Sequence, residues 1–148
     1  MIYNIEIEGK SKSFIVVGDW GCNPDTPTKC NVKNQTNVAD AMLNIHKQYS
    51  TSMVISVGDH FYDDGILSSN DPRWITGFEN IYHKSLKPWY VVLGNHDVRG
   101  SVKAQIEYSD ISKRWNLPSN YYTKDFALSN SKKLKLKHFV HEFICFFL

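Results

Sequence analysis

Residues 54–65, VISVGDHFYDDG, join an apolar run to a cluster of polar groups. The apolar run has the length and the β-branched composition of a buried strand. It ends at Gly58, and Asp59, His60 and Tyr62 follow within four positions. A carboxylate, an imidazole and a phenol at the point where a buried strand stops are typical of a site at the end of that strand.

The same arrangement occurs twice more, in VVGDWG at residues 16–21 and in VLGNHDVRG at residues 92–100. Glycine before the polar residue lets the backbone turn sharply and leaves room for an ion or a phosphate. In open α/β sheets, ligands bind outside the carboxyl ends of the strands. We therefore expect one edge of the sheet to carry Asp19, Asp59, His60, Tyr62, Asn95, His96 and Asp97.

Helical patterns separate these strands. In residues 35–49 the apolar side chains Val38, Met42, Ile45 and Tyr49 recur at helical spacing. The pair Asp71-Pro72 is a typical helix start, and Trp74, Phe78, Ile81 and Tyr82 follow on one face, where we expect core packing. YNIEIE at residues 3–8 predicts a half-exposed strand before a turn at residues 8–10. Strands that alternate with helices predict an α/β fold with a mostly parallel or mixed sheet.

Composition sets the class of protein. The chain has 148 residues and 42% hydrophobic content, which suit one globular domain. Seventeen basic and fifteen acidic side chains give a net charge of +2, which argues against a nucleic-acid partner. The apolar run FICFFL, at residues 143–148, is far shorter than the roughly 20 residues that span a bilayer, so we expect no transmembrane segment.

The three cysteines are too few for a disulfide scaffold or a zinc cluster. Cys22 and Cys30 either close one small loop or remain unpaired thiols, and the sequence leaves both possibilities open. Pairing would require an oxidising compartment.

The polar groups at the predicted sheet edge are mainly oxygen donors, which suit hard cations. A carboxylate can bridge two metal ions about 3.5–4 Å apart, and Asp59 is the natural bridge. Asn95 would coordinate through a neutral carbonyl oxygen, which favours an anionic substrate. A tyrosine ligand points to ferric iron, because phenolate forms near neutral pH only beside a strongly acidic cation.

Four segments together resemble the purple acid phosphatases of the calcineurin-like metallophosphoesterase superfamily, and among them the small tartrate-resistant acid phosphatases. These segments are GDWG, GDHFYDDG, PWYVVLGNHD and SVKAQIEYSDISKRWNLPSNYY, and the resemblance is strongest over residues 14–122. It implies an acid phosphatase that hydrolyses phosphate monoesters, of small molecules or phosphoproteins, by attack of a metal-bound hydroxide. It also implies a secretory, lysosomal or extracellular location, although the chain shows no signal peptide.

The resemblance also implies the metal site. Asp19 and Tyr62 would bind Fe(III), Asp59 would bridge it to a divalent iron, zinc or manganese ion, and Asn95 would bind the second ion. His96 resembles the family's histidine that contacts substrate phosphate or protonates the leaving oxygen, a task that suits imidazole at mildly acidic pH.

The chain departs from the family pattern in four respects. His60 stands where asparagine is common and Val98 where a second histidine often follows, and we expect both changes to affect substrate positioning. The family's later histidine and GHxH motif have no counterpart, and His138 and His141 match no family motif. Residues 132–148 are atypical, being either the family's next strand cut short or unrelated sequence.

The family fold is a four-layer α/β/β/α sandwich, and residues 1–148 are expected to form a single partial domain corresponding to its N-terminal half. We accordingly expect weak activity from this chain. Two other hypotheses are a non-catalytic phosphatase-like scaffold or membrane-complex subunit, and a truncated product without function.

Overall fold

The computed structural model describes residues 1–7, 10–22, 31–127, 133–139 and 142–147. The strands in this part are β1 (Ile2–Ile7), β2 (Lys10–Val17), β3 (Val54–Ser56), β4 (Trp89–Val91), β5 (Trp115–Asn116), β6 (Tyr122–Ala127), β7 (Lys133–Phe139) and β8 (Glu142–Phe147). The helices are α1 (Val32–Tyr49) and α2 (Val102–Ile111), with a π-helical segment (Trp74–Glu79) and a 3-10 turn (Asp97–Arg99). Residues 8 and 9 of the predicted turn lie outside the described residues, and so does Cys30.

A five-stranded sheet in the order β1-β2-β3-β4-β5 forms the centre of the fold. β1 runs antiparallel to β2, and the other neighbours are parallel, with Ile15 opposite Val54 and Val54 opposite Trp89. Val54 and Ile55 are buried, as the continuous apolar pattern of a doubly covered strand requires. The predicted α/β fold with a mostly parallel sheet is therefore confirmed.

Helix α1 begins earlier than its apolar periodicity suggested, because the side chain of Asn31 caps it by accepting a hydrogen bond from the Lys33 N–H at 2.9 Å. Its buried positions are Gln35, Ala39 and Met42. Two of the apolar residues that recur at helical spacing, Val38 and Tyr49, are exposed rather than buried. Gln35 takes the inward position because its amide donates to the carbonyl of Gly77 at 3.0 Å, which satisfies a polar group in the interior.

The core is dominated by aromatic rings, and the predicted core role of Trp74, Phe78 and Tyr82 is confirmed by their complete burial. Trp74 stacks on Tyr108 of α2 with ring centroids 3.6 Å apart. The indole N–H groups find partners, as buried tryptophans require: that of Trp20, for example, donates to Ser56 Oγ at 2.7 Å. The rings thus join the π-helical segment to the sheet and to α2.

A second, three-stranded antiparallel sheet has the order β6-β7-β8. It contacts the larger sheet through β6, where the ring of Phe126 lies 5.1 Å from that of Tyr90. The Tyr122 hydroxyl accepts from the Val91 N–H at 3.0 Å and lies 3.1 Å from the Val91 carbonyl oxygen. The atypical tail therefore forms two strands, with His138 in β7 and His141 outside the described residues. Among the helices of the described ranges, none has the length and apolar character needed to cross a membrane.

Candidate metal centre

Three loops meet at the carboxyl ends of β2, β3 and β4, and they bring oxygen donors into contact. We call them the β2 loop (residues 18–22), the β3 loop (residues 57–65) and the β4 loop (residues 92–100). The Tyr62 hydroxyl lies 2.9 Å from Asp19 Oδ1 and 3.2 Å from Asp59 Oδ2. Neighbouring ligands of an octahedral ion with bonds of about 2.0–2.1 Å are about 2.9 Å apart. The two distances from the Tyr62 hydroxyl are close to this ligand spacing, as a small, hard cation would require.

The backbone turns sharply at both carboxylates. Asp19 and Asp59 have φ angles of 53° and 55°, in the left-handed region that few residues other than glycine adopt, although aspartate tolerates it. Such conformations cost about 1–3 kcal/mol and cluster at functional sites. Here they turn the chain immediately after each strand, and both carboxylates face Tyr62 as a result.

The β4 loop is held against the bridging candidate. The His96 backbone N–H donates to Asp59 Oδ1 at 3.0 Å, and the neighbouring Asn95 is exposed. Gly94 permits this approach, since a Cβ atom there would lie 2.2 Å from Asp59 Oδ1. Asn95 thus precedes the residue whose backbone N–H donates to the Asp59 carboxylate.

The imidazole of His96 has a defined orientation. Its Nδ1 lies 2.5 Å from the backbone carbonyl oxygen of Asp63, and its ring centroid is 4.4 Å from that of Tyr62. A carbonyl can only accept, so Nδ1 carries the proton and Nε2 remains for proton exchange. The guanidinium of Arg99 is also near, 3.3 Å from the same Nδ1.

Two residues predicted at the sheet edge lie instead beneath it. His60 and Asp97 are both 0% exposed, and His60 Nδ1 lies 3.2 Å from Asp97 Oδ2. Burial lowers the pKa of His60, and the charge of Asp97 and the hydrogen bond with Gln105 oppose that shift. His60 is completely buried, so the expected effect on substrate positioning, which stays a prediction, would have to act through the β3 loop. Val98 packs against the core.

Burial raises the pKa of Tyr62 above its ordinary value, and the hydrogen bond to Asp19 and the charge of Asp59 raise it further. The two carboxylates thus stabilise the protonated phenol as a donor. A cation held between the oxygens would reverse this preference, because it stabilises phenolate and carboxylates together.

Among the described residues, no group of three or more His, Cys, Asp or Glu side chains is arranged to hold a metal ion. The candidate ligands include only two side chains of these types, the carboxylates of Asp19 and Asp59, and the other two are a phenol and an amide. Sequence reasoning missed the Asp63 carbonyl, because backbone acceptors have no residue signature. It also left the pairing of Cys22 open, and the structure has Cys22 in a disulfide.

The family model for calcineurin-like phosphoesterases matches residues 12–145. Tartrate-resistant acid phosphatase type 5 of Rattus norvegicus is 41% identical over 123 residues, which are 80% of this chain and 36% of that protein. Purple acid phosphatase 7 of Arabidopsis thaliana is 43% identical over 122 residues, which are 81% of this chain and 34% of that protein.

A solved structure, titled GAP50, the anchor in the inner membrane complex of Plasmodium, is similar with a TM-score of 0.64 at 26% identity. The similarity covers 82% of this chain and 39% of that one. The chain therefore spans little more than a third of the length of the proteins it matches. The family match extends over most of the chain and includes all three loops of the candidate centre, and so the chain belongs to the calcineurin-like phosphoesterase family.

Proposed function

We propose that this chain carries part of a binuclear metal centre that hydrolyses phosphate monoesters. The observation that carries the proposal is the convergence of oxygens from three residues on two loops, with Tyr62 Oη within 3.2 Å of both Asp19 and Asp59. Similarity to purple acid phosphatases over about four fifths of the chain supports the reaction class.

In this proposal Asp19 and Tyr62 would hold Fe(III), Asp59 would be shared with a divalent iron, zinc or manganese ion, and Asn95 would hold that second ion. The ions, when bound, supply Lewis acidity and lower the pKa of water. Asn95 contributes a neutral oxygen, which leaves the centre more attractive to a phosphate dianion. Only Asp59 and Asn95 are assigned to the second ion, so we expect weak turnover from the chain by itself.

His96 would manage the proton of the leaving group. As water attacks phosphorus, the bond from phosphorus to the ester oxygen breaks, and that oxygen needs a proton. The Asp63 carbonyl holds the proton of Nδ1 and leaves Nε2 free to deliver a second one. The substrates would be monoesters of small molecules or phosphoproteins, and a net charge of +2 gives no basis for a nucleic-acid substrate.

The location that we propose is secretory, lysosomal or extracellular, and the Cys22 disulfide supports it, because disulfides persist in oxidising compartments. We also propose that residues 1–148 form part of one domain, since the aromatic core and the contacts of β6 with β4 are continuous.

Iron loading tests the centre directly. The full chain incubated with Fe(III) should develop a visible charge-transfer band from a Tyr62–iron bond. Tyr62→Phe should abolish the band, whereas Tyr121→Phe, at a tyrosine that is 71% exposed, should keep it. A wild-type protein that binds no iron, or a band that survives Tyr62→Phe, would refute the site.

A second candidate is a phosphatase-like scaffold without catalysis, supported by the similarity to the Plasmodium anchor protein. The two functions differ in p-nitrophenyl phosphate turnover by the iron-loaded chain. Turnover that Tyr62→Phe abolishes and Tyr121→Phe retains favours the enzyme. A cooperatively folded chain that binds neither iron nor phosphate favours the scaffold.

A further inference from the structure

The carboxylate of Asp97 accepts hydrogen bonds from the backbones of two different loops. Its Oδ2 accepts from the N–H groups of Asp59 and Gly94, both at 2.8 Å, and its Oδ1 accepts from the N–H of His60 at 2.9 Å. Asp59 and His60 belong to the β3 loop, and Gly94 belongs to the β4 loop. One side chain therefore ties together the two loops that carry the bridging candidate and the second-ion candidate.

The Asp97 carboxylate also lies against a buried side chain, that of His60. His60 Nδ1 lies 3.2 Å from Asp97 Oδ2 and 3.2 Å from Gln105 Oε1, and all three side chains are completely buried. Both neighbours of Nδ1 are acceptors, so that nitrogen carries the proton; it donates to Gln105 Oε1, and Asp97 Oδ2 lies at the same distance. Gln105 lies on α2, whose N-terminus is capped by the Ser101 side chain. The carboxylate is thus connected to a regular helix rather than to another loop.

The two loops also meet backbone to backbone. A Cβ atom at Gly58 would lie 2.7 Å from Gly94 Cα, and one at Gly94 would lie 2.6 Å from the Asp59 backbone nitrogen. Such close contact leaves no space for a side chain at either glycine, and the hydrogen bonds to Asp97 join the loops at this point. A buried carboxylate that accepts three N–H groups is satisfied and strongly orienting.

We propose that Asp97 is a positioning residue that sets the separation of Asp59 from Asn95 and His96 before any metal binds. It touches neither the substrate nor the ions, and His60 and Gln105 hold it in place. The part of this inference that concerns metal affinity rests on the proposed function, whereas the coupling of the two loops does not.

Amide hydrogen exchange in the metal-free protein tests the coupling of the loops. Asp97→Asn replaces one acceptor oxygen by an N–H₂ group that faces backbone donors, so at least one of the three bonds is lost. We expect exchange to accelerate about tenfold at the Asp59, His60 or Gly94 amide, the effect of losing one hydrogen bond. Asp110→Asn removes the same charge from an exposed position of α2 and should leave these amides unchanged. Unchanged exchange in Asp97→Asn would overturn the proposal.

Metal binding tests whether the coupling positions the donors. Fe(III) affinity should fall about 10–100-fold in Asp97→Asn, the usual effect of removing a group that orients ligands, and the charge-transfer band should shift. Ser112→Ala loses a remote, partly buried hydrogen bond to Glu79 and controls for stability alone, so affinity and band should persist. Equal losses in both variants, or none in Asp97→Asn, would contradict a positioning role.

Two further outcomes remain decisive. If the wild-type chain binds no iron, the proposed function fails, and the exchange experiment still decides whether Asp97 couples the loops. If Asp97→Asn does not fold, NMR couplings through the hydrogen bonds of the wild-type protein replace it. Couplings from the Asp59, His60 and Gly94 amide nitrogens to the Asp97 carboxyl carbon should be detectable, and their absence would overturn the inference.

Discussion

Replacing Arg114 by methionine should destabilise the protein more than any change to its exposed charges. The guanidinium lies in the interior, where Nη1 donates to Glu79 Oε2 at 2.7 Å and Nη2 donates to the Tyr82 carbonyl at 2.9 Å. It also lies over the ring of Phe78, 4.8 Å from the centroid. Methionine keeps the aliphatic stem and removes the charge, so Glu79 loses its cation and the Tyr82 carbonyl loses a donor.

The size of this destabilisation depends on the interactions that Glu79 keeps when Arg114 is replaced. Removing one partner of a fully buried ion pair costs about 3–5 kcal/mol. The Glu79 side chain is 20% exposed and keeps the hydroxyls of Ser112, at 2.6 Å, and Tyr108, at 3.3 Å. Water and these two donors offset part of the loss, so we expect the lower end, about 3 kcal/mol.

Urea unfolding followed by tryptophan fluorescence measures this change. With a slope of about 1.5–2 kcal/mol/M, the loss corresponds to a midpoint lowered by about 1.5–2 M. Arg99→Met breaks an exposed pair with Asp64, 3.8 Å long, and should cost less than about 1 kcal/mol. In the double variant Glu79→Gln/Arg114→Met the unpaired charge is gone, and we expect a coupling of about 1–2 kcal/mol. A loss below about 1 kcal/mol for Arg114→Met, or simple additivity, would refute the reasoning.

Two further predictions concern the loops. Burial holds the pKa of His60 below 6.5. Below that pH the unfolded chain therefore binds a proton that the folded chain does not bind. The free energy of unfolding of the metal-free protein should fall by up to about 1.4 kcal/mol per pH unit. His60→Asn should flatten this dependence in urea midpoints between pH 7 and 5.5, and an identical slope in both proteins would contradict the assignment. Gly94→Ala would place Cβ 2.2 Å from Asp59 Oδ1, so it should cost about 1–3 kcal/mol and weaken Fe(III) binding. Gly77→Ala, whose nearest contact is 3.8 Å, should be tolerated in the same assays, and equal effects would count against the steric argument.

Much of the fold could be predicted because its signals are local. Continuous apolar runs that end in glycine predicted β2, β3 and β4 in their correct order. The loops after them were correctly expected to meet, since the carboxyl ends of parallel strands share one edge. The face of α1 was less predictable, because the burial of Gln35 depends on the Gly77 carbonyl, 42 positions away in the chain.

The sequence by itself determined that the loops after β2, β3 and β4 carry the polar residues, since each apolar run ends in a glycine that Asp19, Asp59 or Asn95 follows. The sequence did not determine which of the adjacent residues are buried. His60 follows Asp59 directly, and Asp97 follows His96, yet both are buried. That difference arises from the left-handed turn at Asp59 and from three amides that converge on Asp97 from two loops. Only the packed structure brings those amides together, because satisfying buried polar groups depends on partners that are distant in the chain.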